Sequence, residues 1–245
     1  MPVSNMEDSW PIGIPVDPLP EKRPEPTFLR GRLVTLAPLD PRAHSEALYE
    51  STHGPKAEQL WLYLFDGPFP NLAAFTADLQ QKANSSDSVF LAILDNASGS
   101  AVGYSSFMRI EPAHRCMEIG NVVFSPGLQR TPSATEAMYL MARHAFEDLG
   151  YRRYEWKCNA LHRRSHRAAL RLGFTFEGIF RQHLIVKGRN RDTAWFSILD
   201  SEWPTRKANL ERWLAPDNFD MEGRQKLSLS KLNADTLCNG KSGSC

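Results

Sequence analysis

The stretch with the clearest chemical potential is Phe124-Ser-Pro-Gly-Leu-Gln-Arg-Thr-Pro-Ser-Ala-Thr-Glu-Ala137. It joins an apolar, strand-like run (Met117–Phe124) to an amphipathic helix expected over about Pro132–Leu149. A helix entered through a polar turn presents unpaired backbone N–H groups at the positive end of its dipole, which is an anion site. Two capping registers are open. Thr131 can cap with Pro132 at the first helical position, or Ser133 can cap with Glu136 three residues on. In the first register the N–H groups of Ser133 and Ala134 stay free, and Arg130 adds a full positive charge. An ordinary capped helix would carry the same residues, so this loop alone decides nothing.

A second polar helix start, Asn159-Ala-Leu-His162-Arg-Arg-Ser165, follows the next strand, Arg153–Cys158. Adjacent strands whose C-terminal ends each feed a helix open a cleft at the usual ligand position of α/β sheets. Arg163, Arg164, Arg167 and Arg171 read as a solvated helix face. His162 and His166 have the i, i+4 spacing of a zinc pair, but they lack the intervening Glu and lie among cations, so no metal is expected.

These segments must be positioned by a sheet. Arg32–Leu36 reads as a strand, with Asp40 capping a helix to Leu48 and Asn71 capping another to about Ala83. Trp61, Tyr63, Phe65 and Phe69 form an aromatic patch between those helices, either core or a pocket lining. Val89–Leu94 and Ala101–Ile110 flank a turn as a hairpin, and Arg115–Phe124 completes a meander. Alternation puts Glu118, Gly120, Val122 and Phe124 on one face and Met117, Ile119, Asn121 and Val123 on the other, with Gly120-Asn121 the cheapest place for a bulge. The first long helix buries Ala134, Met138, Met141, Ala145 and Leu149, and the second buries Leu161, Ser165, Ala168, Ala169 and Leu172. Phe174–Val186 and Arg191–Leu199 form a last hairpin, and a short helix follows Pro204. The expectation is an α/β (α+β) fold with a central mixed, mostly antiparallel sheet of about seven strands and helices on both faces.

The ends differ in character. Residues 1–28 form a proline-rich arm, expected to be pinned by Trp10 or Phe28; residues 29–215 form the folded domain; residues 216–245 are polar and expected to be disordered. The 245 residues are 42% hydrophobic, enough for one good-sized core. With 29 Lys+Arg against 28 Asp+Glu the net charge is +1, so nothing advertises nucleic acid. A nucleic-acid binder using Arg152, Arg153 and the basic helix is the outlying alternative. The four cysteines show neither metal spacing nor disulfide density, and no signal peptide is evident. A cytoplasmic protein, with nuclear access open, is therefore expected, and Asn84-Ser-Ser86 and Asn96-Ala-Ser98 are chance glycosylation matches. No apolar run approaches about 18 residues, so no membrane span is expected.

The residues also resemble a known family, the GNAT N-acetyltransferases, in the branch similar to the ribosomal-protein N-terminal acetyltransferases. The resemblance covers about Leu29–Leu214. It is carried by Glu118-Ile-Gly-Asn-Val-Val-Phe-Ser-Pro126, Gln129–Ala137, His144-Ala-Phe-Glu-Asp-Leu-Gly150, and Ser165 through Leu172-Gly-Phe-Thr-Phe-Glu-Gly178. It implies acetyl-CoA as co-substrate, entering where Met117–Phe124 splays from Tyr154–Cys158. Val122, Val123 and Phe124 would pair with the pantetheine, and a backbone N–H there would polarise the thioester carbonyl. The pyrophosphate would lie on Gln129, Arg130, Thr131, Ser133, Ala134 and Thr135, and His162, ahead of the second helix, would be a further cofactor-binding residue. The sequence departs from the family pattern at three points: Pro132 stands at the first glycine of the pyrophosphate loop, His162 replaces an Asn, and Ala169 stands where many members carry a thiolate-protonating Tyr.

Acetyl transfer requires a neutral amine. Glu118, on the thioester strand among apolar neighbours, is the candidate base, and a surface carboxylate is its equal alternative. Ser165 is the candidate donor to the departing sulfur, or a small residue at a tight helix–sheet contact; Glu177 positions structure. The acceptor is a primary amine, on a peptide N-terminus or a small molecule, that attacks acetyl-CoA directly in a ternary complex, and the enzyme is expected to be a monomer or homodimer. The alternative is an acyl-CoA-binding or regulatory protein of impaired catalysis.

Overall fold

The computed structural model describes residues 12–18, 22–55 and 57–239. The elements in chain order are β1 (Leu29–Arg30), β2 (Val34–Pro38), α1 (Pro41–Thr52), α2 (Leu72–Ala83), β3 (Val89–Asp95), β4 (Ala101–Glu111), β5 (Cys116–Phe124), α3 (Pro132–Arg143), β6 (Arg153–Asn159), α4 (Arg163–Leu172), β7 (Thr175–Val186), β8 (Arg189–Leu199), α5 (Trp203–Leu214) and α6 (Leu229–Asn239). The eight strands form one sheet in the order β1-β2-β3-β4-β5-β6-β8-β7. Every neighbouring pair is antiparallel except β5 and β6, which run parallel. The fold is the expected mixed sheet, with one strand more than anticipated because Leu29–Arg30 adds a two-residue rung to β2.

Local rules account for most boundaries. The Asp40 side chain accepts from Arg42 N at 2.9 Å, and that of Asn71 from Ala74 N at 2.9 Å, which fixes the starts of α1 and α2. The β3–β4 turn closes with Asp95 Oδ2 accepting from Ser98 N at 3.0 Å, and Gly99 takes the positive φ the reversal needs. The helix expected to Leu149 is α-helical only to Arg143 and finishes as a π-turn, His144–Asp148. Gly173, left-handed, caps α4.

Two apolar layers flank the sheet. On one face Met117, Ile119, Trp156 and Phe196 pack with Met138 and Met141 of α3 and Leu210 of α5; on the other Phe90, Tyr104 and Val123 pack with Leu48, Phe75 and Trp61. Residues 216–239, expected to be disordered, are instead folded onto the first layer. Leu229 is fully buried, Leu232 nearly so, and Phe219 stacks edge-on against Trp213 at 5.3 Å between centroids. Each buried Leu contributes about 1.5–3 kcal/mol, which holds down a segment whose composition is otherwise polar. Leu161, expected inside, is 74% exposed, because its backbone precedes the first turn of α4.

Among the described residues of the N-terminal arm, polar contacts rather than Phe28 make the attachment to the body. Phe28 is 56% exposed, and Trp10 lies outside the described residues. Lys22 Nζ donates to Asp148 O at 3.0 Å, Tyr151 Oη donates to Lys22 O at 2.8 Å, and Arg115 donates to Asp17 O at 3.2 Å.

Candidate active site

β5 and β6 are paired only from Cys116↔Arg153 to Ile119↔Trp156. Beyond Ile119 the two strands part, and the β6-facing backbone groups of β5 lose their ladder partners. At the same point β5 bulges: Tyr104 pairs with Val123 and Ser106 with Gly120, so Asn121 and Val122 together oppose Ser105. Asn121 takes φ +50, a conformation Asn tolerates better than most residues. Side chains hold the bulge in place. The Gly120 carbonyl accepts from Ser105 Oγ at 3.1 Å and Ser106 Oγ at 3.3 Å, and Asn121 Nδ2 donates to Ser106 Oγ at 2.9 Å.

The bulge alters which side chains share a face. Simple alternation puts Val122 and Phe124 with Glu118, but the extra residue flips the parity. Val123 joins the Glu118 face and the α1–α2 layer, whereas Val122 and Phe124 pack on the α3 face. Ligand pairing by Val122–Phe124 is thus a matter of backbone edge, not of shared side-chain direction.

The loop before α3 takes the first of the two capping registers. Thr131 Oγ1 accepts from Ala134 N at 3.2 Å and donates to Leu128 O at 2.7 Å, with Pro132 at the first helical position. This engages the Ala134 N–H, which was expected to be free; among the described residues Arg130 N and Ser133 N have no acceptor. Arg130 itself is left-handed at φ +65, and Gln129 Nε2 ties the loop to Phe124 O at 2.9 Å. The alternative capping box does not form, because Glu136 turns away. Its buried carboxylate accepts from the backbone N–H groups of Arg32 (3.1 Å), Leu33 (2.6 Å) and Val34 (2.9 Å) and fixes the β1–β2 turn. Thr135 turns inward: its hydroxyl is buried and accepts from Arg171 Nη1 at 3.0 Å. Arg171 in turn lies over the Trp213 ring at 4.5 Å rather than on a solvated face.

The start of α4 contrasts with that of α3, since His162 at its N-cap makes no side-chain capping bond. Its ring stacks on Tyr63 at 4.4 Å, and burial, with Arg164 and Arg191 nearby, lowers its pKa. Ser165 Oγ accepts from Trp156 Nε1 at 3.0 Å, on the α3 side of the sheet. Burial raises the pKa of the adjacent Cys158 thiol, and a hydrogen bond from Ser165 partly offsets that rise.

Glu118 lies on the other side and is 5% exposed. Its register partner is Glu155, a like-charge pairing that cations must relieve. Lys157 Nζ stands 3.0 Å from Glu118 Oε2 and 2.7 Å from Glu155 Oε2, and Arg109 Nε stands 2.9 Å from Glu118 Oε2. The contacts to Oε2 are ion pairs that do not reach hydrogen-bond alignment, which leaves that oxygen a buried acceptor. Burial raises the Glu118 pKa more than Lys157 and Arg109 lower it. Farther along the face Arg153 makes a two-pronged contact with Glu177, at 2.8 and 2.5 Å, and the Ser197 hydroxyl donates to Glu177 at 2.7 Å. Glu177 is therefore structural, and Arg153 is already paired.

Sequence reasoning missed Arg109, Lys157, Arg191 and Trp195 as parts of this face. The alternation Arg153-x-Glu155-x-Lys157 carried a signal, since it places three charges on one side of β6 beside Glu118. The aromatic patch is core only in part. Trp61 and Phe69 enter the core, whereas Tyr63 covers His162 and Phe65 lies over the Arg191 guanidinium at 4.8 Å. The segment is held down by Lys187, at the tip of the β7–β8 hairpin, whose ammonium donates to the carbonyls of Trp61 (2.8 Å), Asp66 (2.9 Å) and Gly67 (2.7 Å).

A parted strand pair with exposed backbone edges, an anion-receptive helix start on one side and a buried carboxylate on the other, can hold an extended phosphorylated thioester and an amine. Comparison with known proteins identifies the family. The family model for the acetyltransferase (GNAT) domain matches residues 34–175. A GCN5-related N-acetyltransferase from Brucella melitensis is 46% identical over 87% of this chain and 96% of its own, with a TM-score of 0.85. An acetyltransferase of the GNAT family from Chromobacterium violaceum is 40% identical over 80% of this chain and 100% of its own, with a TM-score of 0.72. No curated protein matches the sequence. The chain belongs to the GNAT family, and is an acetyl-CoA-dependent N-acetyltransferase.

Proposed function

We propose that the enzyme transfers the acetyl group of acetyl-CoA to a primary amine by direct attack in a ternary complex, in the gap between β5 and β6. The observation that carries this reading is the coincidence of three features on one strand: pairing with β6 ends at Ile119, a clamped bulge follows at Asn121–Val122, and Glu118 precedes both. The pantetheine would add itself to the free edge of β5 at Val122–Phe124, and a bulge N–H would bind the thioester carbonyl, where negative charge grows as the amine attacks. The pyrophosphate would take the donors of Arg130 and Ser133, with the Arg130 charge; Gln129 and Thr131 shape that loop, and Ala134 is committed to the cap.

Glu118 would accept the proton of the incoming ammonium, directly or through water. Burial raises its pKa, which makes it a better base than a solvated carboxylate. Ser165 approaches the gap from the opposite face of the sheet; its oxygen accepts from Trp156, and its one hydrogen, which the Cys158 thiol shares, would turn to the departing sulfur. Donor and acceptor would therefore reach the reacting carbon from different sides of the sheet.

The acceptor classes are a peptide N-terminus, in keeping with the resemblance to the ribosomal-protein N-terminal branch, and a small amine; the cytoplasm is the proposed site of action. The test is thiol release from acetyl-CoA with an amine panel, in wild type and Glu118→Gln. Turnover in wild type and its loss in the variant, at unchanged acetyl-CoA affinity, is the expected result. Full turnover in Glu118→Gln would remove Glu118 as the base.

A further inference from the structure

Arg191 is a buried guanidinium whose Nε the described residues leave without a hydrogen-bond partner. It is 6% exposed, and no carboxylate lies within ion-pair distance of it among the described residues. Burying a cation without a partner costs several kcal/mol, so such a group is retained where something else pairs with it. Its surroundings do not supply that partner. The ring of Phe65 lies against the guanidinium at 4.8 Å, and the nearby positive groups are Arg109 and the start of α4 at His162. Glu118 contributes attraction, but it is already in ion pairs with Arg109 and Lys157.

A second buried arginine shows what compensation looks like. Arg206 also has an unpartnered Nε, but it packs beside Gly173 at the C-terminal end of α4, where the orphan carbonyls of the helix end supply negative potential. Arg191 stands near the opposite, positive end of the same helix. Strand alternation puts Arg191 and Trp195 on the Lys157 and Glu118 face of the sheet, and the indole Nε1 of Trp195 is another buried donor without a partner. The face that would receive the amine thus offers unfilled donors to an anion.

We infer that Arg191 is a specificity-determining residue that binds a carboxylate carried by the acceptor, so that the substrates are amines bearing an acidic group. The inference rests on the acetyl-transfer reading of the same site. A planar fork suits a carboxylate, and anchoring the acid at Arg191 would direct the amine of the same molecule toward Glu118. Two sources provide that chemistry: a free amino acid, or a peptide N-terminus followed by an acidic side chain.

The experiment measures kcat/KM with matched acceptors on wild type, Arg191→Gln and Arg191→Lys. The pairs are free amino acids against their carboxamides, and peptides with aspartate against asparagine at the second position. Wild type should prefer the acid by about a hundredfold in one of the two pairs, which identifies the source. Arg191→Gln should lower turnover of the acid to that of the neutral analogue and leave the latter unchanged, with Arg191→Lys between them. Without ligand, Arg191→Gln should melt no lower than wild type, since it loses an uncompensated charge. Equal use of acid and neutral amines by wild type would overturn the inference, as would weaker acetyl-CoA binding in Arg191→Gln. Should no acceptor turn over while acetyl-CoA binds, thermal shifts by N-acetyl amino acids with CoA decide. Stabilisation by the carboxylates and not by their amides, lost in Arg191→Gln, supports it; no stabilisation overturns it. Failure to bind acetyl-CoA at all would overturn the acetyl-transfer reading, and this inference with it.

Discussion

The sheet consists of two unequal parts that meet along a seam of four paired residues on each side, and the parts are covered differently. In β3 and β4 the face toward α1 and α2 is apolar, with Phe90, Ala92 and Tyr104 sealed under Leu48, Phe75 and Trp61. In β6 and β8 the same face carries Arg153, Glu155, Lys157, Arg191 and Trp195, and the segment around Tyr63 and Phe65, tethered by Lys187, reaches over it. An apolar helix seals a core permanently, whereas a tethered loop over a charged face leaves a place that a ligand can fill. The seam between the two regimes is where β5 bulges and parts from β6.

Four changes break or sharpen this contrast. The largest effect is expected from Glu118→Gln, which should lower kcat about 10²–10³-fold with little change in acetyl-CoA affinity, as read by thiol release and calorimetry. The same substitution removes a carboxylate whose burial cost outweighs its ion pairs, so chemical denaturation near neutral pH should register no loss of stability. In wild type the pH profile should follow the base. Because burial raises the Glu118 pKa above 4.5, kcat should climb with pH through a value higher than that of an ordinary carboxylate and then level off. The linked stability has the opposite sign: the folded state holds this proton more tightly than the unfolded chain, so this contribution diminishes as pH rises through that window.

Asn121→Val should come next. A β-branched residue at φ +50 costs about 1–2 kcal/mol, seen as a lower melting temperature, and a relaxed bulge should weaken acetyl-CoA binding about tenfold. Lys187→Ala removes the clasp from the far side of the cleft. Acceptor KM should rise about three- to tenfold, with stability falling by less than about 1 kcal/mol, because the ammonium is exposed. The smallest effect belongs to Pro132→Gly, which restores a backbone donor at the start of α3 and should tighten acetyl-CoA binding about two- to fivefold in a titration.

What the sequence revealed follows the range of the interactions involved. The caps at Asp40 and Asn71, the Asp95–Gly99 turn and the glycine stop at Gly173 obey rules spanning a few residues, and they stand where those rules put them. The bulge was legible as Gly120-Asn121, but its effect on the faces of Val122, Val123 and Phe124 depends on the register with β4. The choice between two caps at α3 depended on Glu136, whose partners Arg32–Val34 lie far upstream. Residues 216–239 looked disordered because their few apolar side chains gain burial only against α4 and α5. Arg191 appeared as one charge among many in a hairpin; what distinguishes it is the approach of Phe65 and, among the described residues, the lack of a carboxylate within ion-pair distance.

The central claim is that the parted seam of β5 and β6 receives acetyl-CoA, with its phosphates on the loop before α3. Backbone hydrogen exchange, followed by mass spectrometry with and without acetyl-CoA, tests it directly. Protection should appear at Gly120–Phe124 and at Arg130–Ala134, while β1–β3 and α1 stay unchanged. Binding of acetyl-CoA with no protection in either segment would contradict the account.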